Sequence, residues 1–295
     1  MNIVVTGGCG FIGSHLVERL VSDGHMVRVI DDLSADNSEY YTFEGVKYSN
    51  VSILDRLSIE PYFEDIDVVY HLAASARIGF SLEDPEHAVR SNIIGTLNVL
   101  QACRKYGIKR IIYSSTSSVY GNPSVFPTDE QAPTYSLNPY AASKLGGEEL
   151  VRCYTKSYDL DSCILRYFNV YGERSPIGGR YSLVIGKFLN QRRNNEPLTV
   201  VGDGQSKRDF IYVKDVVSAN ICAMNHRQKL DAAIFNVGFG NNFKIVDIAK
   251  FISSNIVYLQ PSQHEVRSTC ANISKCKLYF NWVPSTHLLD WLSMQ

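Results

Sequence analysis

Short β-rich runs alternate with stretches of 3.6-residue apolar periodicity through the first half of the chain. NIVVT (2–6) predicts a buried strand and FIGSHLVERLVSDG (11–24) a helix closed by Gly24. VRVID (27–31), VKYSNV (46–51), DVVYHLA (67–73) and RIIYSS (110–115) predict four further strands. Between the last two, PEHAVRSNIIGTLNVLQACRKYG (85–107) reads as one long helix opened by Pro85 and closed by Gly107. A helix follows near Tyr140, and DSCILRYFNVYG (161–172) reads as one more strand. Strand and helix in alternation predict an α/β fold, with a doubly wound parallel sheet covered on both faces.

Beyond residue 172 the rhythm breaks. A helix over 183–194, a strand at 198–202, a strand running into a helix over 210–224, a strand at 234–238 and helical patterns at 245–255 and in HLLDWL are predicted. The organisation this implies is a dinucleotide-binding domain over 1–171, with returning elements near 208–238, and a smaller, interleaved substrate lobe over 172–295. The composition, 45% hydrophobic and 20% charged, is that of a soluble globular protein. A net charge of −1 gives no electrostatic footprint for nucleic acid or for a membrane surface, and no run is apolar enough to span a bilayer. The N-terminus enters a strand at once, without the pattern of a signal peptide. Seven cysteines, an odd number without C-x-x-C or histidine at ligand spacing, predict reduced thiols, a cytoplasmic location and no metal site.

Chemistry enters at two places. TGGCGFIG (6–13) sets Gly7, Gly10 and Gly13 at G-x-x-G-x-x-G spacing between a strand and a helix. Glycines there allow a tight turn and close approach of backbone to a pyrophosphate, with the helix N-terminus facing the anion. Asp31 ends the second strand, where it would accept from the adenosine ribose hydroxyls and repel a 2′-phosphate, so NAD is expected over NADP. In NPYAASK (138–144), Tyr140 and Lys144 stand four residues apart, on one helical face. A lysine cation there favours the phenolate, although such a pair also arises where tyrosine packs and lysine snorkels over it.

These motifs, taken with HLAA (71–74), NIIGTLNVL (92–100), YSSTSSVYG (113–121), RYFNVYG (166–172) and KRDFIYVKDV (207–216), resemble in order the extended short-chain dehydrogenase/reductase superfamily. Within it, the chain looks like the nucleotide-sugar epimerase/dehydratase branch. The resemblance implies that Tyr140 is the general base, that Lys144 binds the nicotinamide ribose and supports the phenolate, and that Thr116 shares a hydrogen bond with the same sugar oxygen. Bringing a phenol into play at neutral pH needs about 4 kcal/mol of preferential stabilisation. The resemblance also implies that NAD is held by Gly7, Gly10, Phe11, Ile12, Gly13, Asp31, Asp32, Asn50, Val51, Leu72, Ala73, Ala74, Asn92, Ser114 and Tyr167, besides Tyr140 and Lys144.

Ser117 and Ser118 follow Thr116, where related dehydratases carry Asp-Glu and related decarboxylases a glutamate, so 4-epimerisation is the expected reaction. By the same resemblance Asn169 and Arg208 contact the sugar diphosphate, and Arg267 adds a second diphosphate contact. Val184 and Lys187 belong to the segment that clasps uracil, and Thr269 leaves room for an N-acetyl group, which points to UDP-GlcNAc. Ser262 and Asn272 depart from the family's usual arginine and aspartate, a loss that Arg174 or Arg180 would have to offset. The alternatives are a UDP-glucuronate 4-epimerase or decarboxylase, with Thr116-Ser117-Ser118 on the carboxylate, a reductase or synthetase, and a non-catalytic dinucleotide sensor. The resemblance further implies a homodimer formed by helices 85–107 and 140–158 through a four-helix bundle, although Leu97, Leu100, Leu145, Leu150 and Val151 could equally cover the sheet.

Overall fold

The computed structural model describes residues 1–35, 40–176, 183–261 and 266–295. The chain begins β1 (Asn2–Thr6), α1 (Phe11–Ser22), β2 (Met26–Asp31), β3 (Lys47–Asn50), a single turn α2 (Arg56–Ile59) and β4 (Val68–His71). It continues with α3 (Ile78–Glu83), α4 (Pro85–Val89), α5 (Gly95–Lys105), β5 (Arg110–Thr116), α6 (Pro139–Tyr158), β6 (Asp161–Tyr167) and β7 (Asn169–Tyr171). The remaining elements are α7 (Val184–Arg193), β8 (Leu198–Val201), β9 (Lys207–Arg208), β10 (Phe210–Tyr212), α8 (Val213–Asn225), β11 (Ala233–Val237), β12 (Phe243–Lys244), α9 (Ile245–Ile252), β13 (Ile256–Leu259), α10 (Ser274–Phe280) and α11 (Leu288–Ser293).

Seven strands form one parallel sheet in the order β11-β6-β5-β4-β1-β2-β3. Both faces are covered, which is why its inner strands read as continuous apolar runs rather than alternating ones. One apolar layer packs Leu16, Val17 and Leu20 of α1 and Val216 and Val217 of α8 on the sheet. The opposite layer packs Val99, Leu100 and Cys103 of α5 and Val151 of α6. From β1 the chain turns to β2 on one side, and β4 pairs on the other, so the crevice above the carboxyl ends of β1 and β4 is the switch point where such sheets bind ligands.

Two elements differ from the sequence expectation. The single strand expected over 161–172 divides at Phe168, whose N–H donates to Val237 O, 2.9 Å. β6 stays in the main sheet, whereas β7 pairs with β10 in a second one. Apolar alternation is blind to a change of partner in mid-run. The single helix expected over 85–107 is interrupted by a π-turn, Arg90–Ile94, between α4 and α5. A second cluster (Ile185, Phe188, Phe210, Ile248, Trp291) forms the core of the smaller lobe, so α7, α9 and α11 pack together rather than on the main sheet.

Candidate active site

The turn between β1 and α1 is dictated by its glycines. Gly7 has φ +71°, and a Cβ there would lie 2.6 Å from Ala73 N; one on Gly13 would lie 2.0 Å from Gly7 O. Gly10 caps α1 without a side-chain hydrogen bond, and its missing Cβ would meet only Gly7 O, at 3.3 Å. The first N–H groups of a twelve-residue helix therefore face open space beside a bare backbone, a cradle for a pyrophosphate. Asp31 closes β2 with one oxygen accepting from Cys9 N–H and the other from Leu33 N–H, each 2.9 Å. Burial pushes its carboxyl up, against the pull of those N–H groups. Asp32 accepts from Ser34 N–H at 3.1 Å.

A cleft of about 390 Å³ runs from this turn over the ends of β1, β4 and β5. Gly7, Gly10, Phe11, Ile12, Gly13, Asp31, Asp32, Val51, Leu72, Ala73, Ala74, Ser114, Tyr140, Lys144 and Tyr167 all line it. Asn50 and Asn92 do not. Asn50 is exposed at the end of β3, level with Asp31 in the strand register. Asn92 is fully buried and holds the cleft wall from behind, accepting from Ser75 N–H at 2.8 Å and donating to Ser75 O and Ser143 Oγ.

Tyr140 is the second residue of α6, after Pro139 at the first position, and Asn138 caps the helix by accepting from Ala141 N–H, 2.9 Å. Tyr140 N–H donates to Ser81 Oγ, 3.1 Å, tying α6 to α3. Thr116 Oγ1 accepts from Ser118 N–H, 3.1 Å, and the Thr116 side chain also hydrogen-bonds the Tyr140 hydroxyl. It thus caps a turn and contacts the phenol at once. Burial pushes the Tyr140 phenol up, opposed by the Thr116 hydrogen bond and by the Arg77 charge. Burial pulls the Lys144 ammonium down to about 7, opposed by Glu148. Lys144 Nζ lies 4.1 Å from the centre of the Tyr113 ring. Arg77, which the spacing argument does not include, is a cation that draws the Tyr140 phenol down.

The residues expected at the nucleotide sugar sit apart from this cleft, on the smaller lobe or at its edge. Asn169 Nδ2 donates to Asp209 O at 2.8 Å and to Thr269 Oγ1 at 3.2 Å, and Asp209 N–H also reaches Thr269 Oγ1, 3.0 Å. Asn169 and Thr269, a hundred positions apart, are therefore in contact. Arg208 (β9) donates to Lys207 O, and Lys207 N–H donates to Arg267 O, which sets the two arginines on neighbouring extended segments. Ser117 and Ser118 open the 3-10 turn after β5, while Val184 and Lys187 occupy the first turn of α7. Asp209 fastens this region, accepting from the N–H groups of Phe239, Gly240 and Ala271, and burial pushes it up to about 6. Arg174 pairs with Glu18 at 2.7 Å and stacks on Tyr41, so it is engaged by the dinucleotide-binding face. Arg180 and Ser262 lie outside the described residues. Asn272 accepts from Ser274 N–H, 3.0 Å.

The sequence reading missed Arg77, Phe80, His87 and Ser91, which line the cleft from α3, α4 and the segments beside them. Asp84-Pro85, with Asp84 accepting from His87 N–H at 2.9 Å, marks where α4 begins, but not that the preceding segment folds back over Tyr140. Among the described residues no group of three or more His, Cys, Asp or Glu is placed to hold a metal, and no helix is long and apolar enough to cross a membrane.

Residues 3–238 match the profile of the NAD dependent epimerase/dehydratase family. The chain belongs to that family. The fold is close to that of the UDP-glucose 4-epimerase of Thermotoga maritima, solved with UDP-glucose: TM-score 0.94 and 34% identity, covering 100% of this chain and 97% of that one. It is also close to the UDP-N-acetylglucosamine 4-epimerase of Methanobrevibacter ruminantium, solved with UDP-N-acetylmuramic acid (TM-score 0.90, 34% identity, 99% and 95% covered). The UDP-glucuronic acid 4-epimerase of Bacillus cereus, solved with UDP-glucuronic acid and NAD, is similar to the same degree (TM-score 0.91, 31% identity, 99% and 97% covered). NAD is the cofactor of this family, and the glycine cradle and the paired acids of the cleft suit it.

Proposed function

We propose that the protein is an NAD-dependent 4-epimerase of UDP-sugars, with UDP-GlcNAc and UDP-GalNAc as its main pair and UDP-glucose as a poorer substrate. What supports the reaction is that Tyr140, hydrogen-bonded by Thr116, and Lys144 line the same cleft as the glycine cradle. Bound NAD supplies a hydride acceptor and returns the same hydride. Tyr140 takes the proton of the sugar's C4 hydroxyl and gives it back after the ketone has turned over. Thr116 orients that oxygen, and Lys144 holds positive charge beside it. Because hydride and proton both return, no external NAD is consumed. Ser117 and Ser118 offer neither the acid nor the base that elimination would need.

Thr269 supports the N-acetyl reading: its hydroxyl accepts from Asn169 Nδ2 and Asp209 N–H, and its side chain is smaller than a tyrosine. On this reading Arg208 and Arg267 take the diphosphate, while Val184 and Lys187 flank the uracil. A second reading, UDP-glucuronate, is favoured by Arg77, a guanidinium in the cleft beside Tyr140. The protein would act in the cytoplasm as a homodimer. The family resemblance raises the dimer; of the apolar residues on those helices, Leu100 and Val151 are buried in the core, Leu97 and Leu150 pack against it, and Leu145 packs against the cluster of Tyr120. Along 85–107 and 140–158, Val89, Ile94 and Tyr158, each more than 40% exposed, are apolar groups open to a partner. The test is turnover without added NAD of UDP-GlcNAc, UDP-glucose and UDP-glucuronate, with the C4 epimers resolved by proton NMR. Equal or better turnover of UDP-glucose overturns the N-acetyl assignment, and turnover of UDP-glucuronate alone establishes the second reading.

A further inference from the structure

One helical turn beyond Lys144, on the same face of α6, stands a fully buried acid, Glu148. Both its oxygens are held. Arg166 donates Nε to Oε1 at 2.9 Å and Nη2 to Oε2 at 2.6 Å, and Ser115 Oγ donates to Oε1 at 2.5 Å. Ser115 and Arg166 face each other in the β5–β6 register, and Ser115 is the neighbour of Thr116. Arg166, 2% exposed, is covered in turn by the Tyr120 ring, 4.7 Å away. A buried ion pair adds little to stability over well-packed apolar groups of the same size. Its placement, between the helix of the catalytic pair and the strand of Thr116, suits a different task.

We propose that Glu148 is a positioning residue for the acid–base pair: its carboxylate, fixed by Arg166 and Ser115, keeps the Lys144 ammonium charged at the floor of the cleft. Lys144 is 3% exposed and lies against a ring face, so desolvation works against its charge. The groups set against it are Glu148 one turn along α6, Tyr113 on β5 and His71 on β4, while Tyr140, Ser114, Tyr167, Arg77 and His87 line the same cleft. Of these only Glu148 is an acid. Burial, and then the Lys144 charge, pull the His71 imidazole down to about 3, so it stays neutral. Without Glu148 the ammonium would keep the Tyr113 ring face, 4.1 Å from Nζ, but would lose the acid named in this shell, with burial still set against its charge.

The proposal rests on the reading of Tyr140 and Lys144 as the reacting pair, so its test reads Lys144 itself. Competitive labelling with acetic anhydride across pH, followed by mass spectrometry of the Lys144 peptide, measures where the amine becomes neutral. Glu148→Gln should lower that midpoint by about one pH unit. Removing one partner of a buried pair can prevent folding, so the double variant Glu148→Gln, Arg166→Met is made as well. It removes both charges and should lower the midpoint by a smaller amount, since loss of the Arg166 cation works in the opposite direction. The alkaline limb of the turnover profile should follow the same order. Midpoints that coincide with wild type to within about 0.3 pH units in the folded variants overturn the proposal, leaving the pair a purely structural one. If the midpoints fall while none of the three UDP-sugars is turned over, Glu148 holds its role and the assigned reaction is wrong.

Discussion

Gly13→Ala tests whether the cradle is set by backbone contact. The added methyl would lie 2.0 Å from Gly7 O, 2.8 Å from Gly8 Cα and 2.9 Å from Gly7 C, all atoms of the same turn. Ordinary contact begins at 3.4 Å, so the turn and the start of α1 must separate by about 1.4 Å. No flexible side-chain end can give way instead. Overpacking of this kind costs about 1–3 kcal/mol, and the upper end applies where backbone meets backbone. The same movement exceeds the range in which an N–H holds an anion, and losing one such charge-assisted bond weakens binding by about 2 kcal/mol, or some thirtyfold. The assay is the NAD released per chain from purified protein by acid, with the urea midpoint measured alongside. Gly79→Ala is the control. Gly79 lies in α3, and a Cβ there meets nothing within 4 Å, so it should keep its NAD and gain about 0.5–1 kcal/mol. If Gly13→Ala kept full NAD at the wild-type midpoint, the contact argument would be refuted.

Tyr140→Phe keeps the fold, because only the hydrogen bond to Thr116 is lost, and should reduce turnover by about 10²–10⁴-fold, as read by NMR of the C4 epimers. Arg77→Met removes a cation that favours the phenolate, so the acidic limb of the turnover profile should move to higher pH; an unmoved limb would show that Arg77 does not act on Tyr140. His71 bonds Thr6 Oγ1 at 2.7 Å and Thr96 Oγ1 at 3.0 Å, and burial holds its folded-state value down to about 3. The unfolded chain binds the extra proton below about pH 6.5, so stability is full above that pH and falls as acid is added, by about 2 kcal/mol between pH 7 and 5 from this one group. Urea unfolding of wild type against His71→Asn at the two pH values isolates that difference.

The parts of the site that local backbone rules dictate were legible in the chain. Gly7 and Gly13 are needed because the turn leaves no room for a Cβ, and Asn138-Pro139 starts a helix wherever it occurs, which fixed Tyr140 and Lys144 on one face. The family resemblance carried the rest of the cleft. Contacts that depend on which segments meet in space were not legible. Arg77 reaches Tyr140 only because α3 is bonded back to α6 through Ser81. Arg166, in an apolar strand run, looks like an interruption until Glu148 is placed beside it. β9 and β12, two residues each, are too short to leave any periodicity.

The departure of the chain from the main sheet at Phe168 also bears on how the protein is made. β6 is buried along its whole length, yet the strand that pairs its outer edge, β11, is synthesised only after α7, β8 and β10. Helix α8, which covers one face of the sheet, is equally late. On the ribosome, a chain that has emerged as far as Tyr171 therefore presents an unpaired apolar strand edge and a sheet face covered by α1 without α8, both prone to self-association. Folding of the dinucleotide-binding half has to wait for most of the other half, and a fragment ending at Tyr171 would aggregate where the whole chain folds.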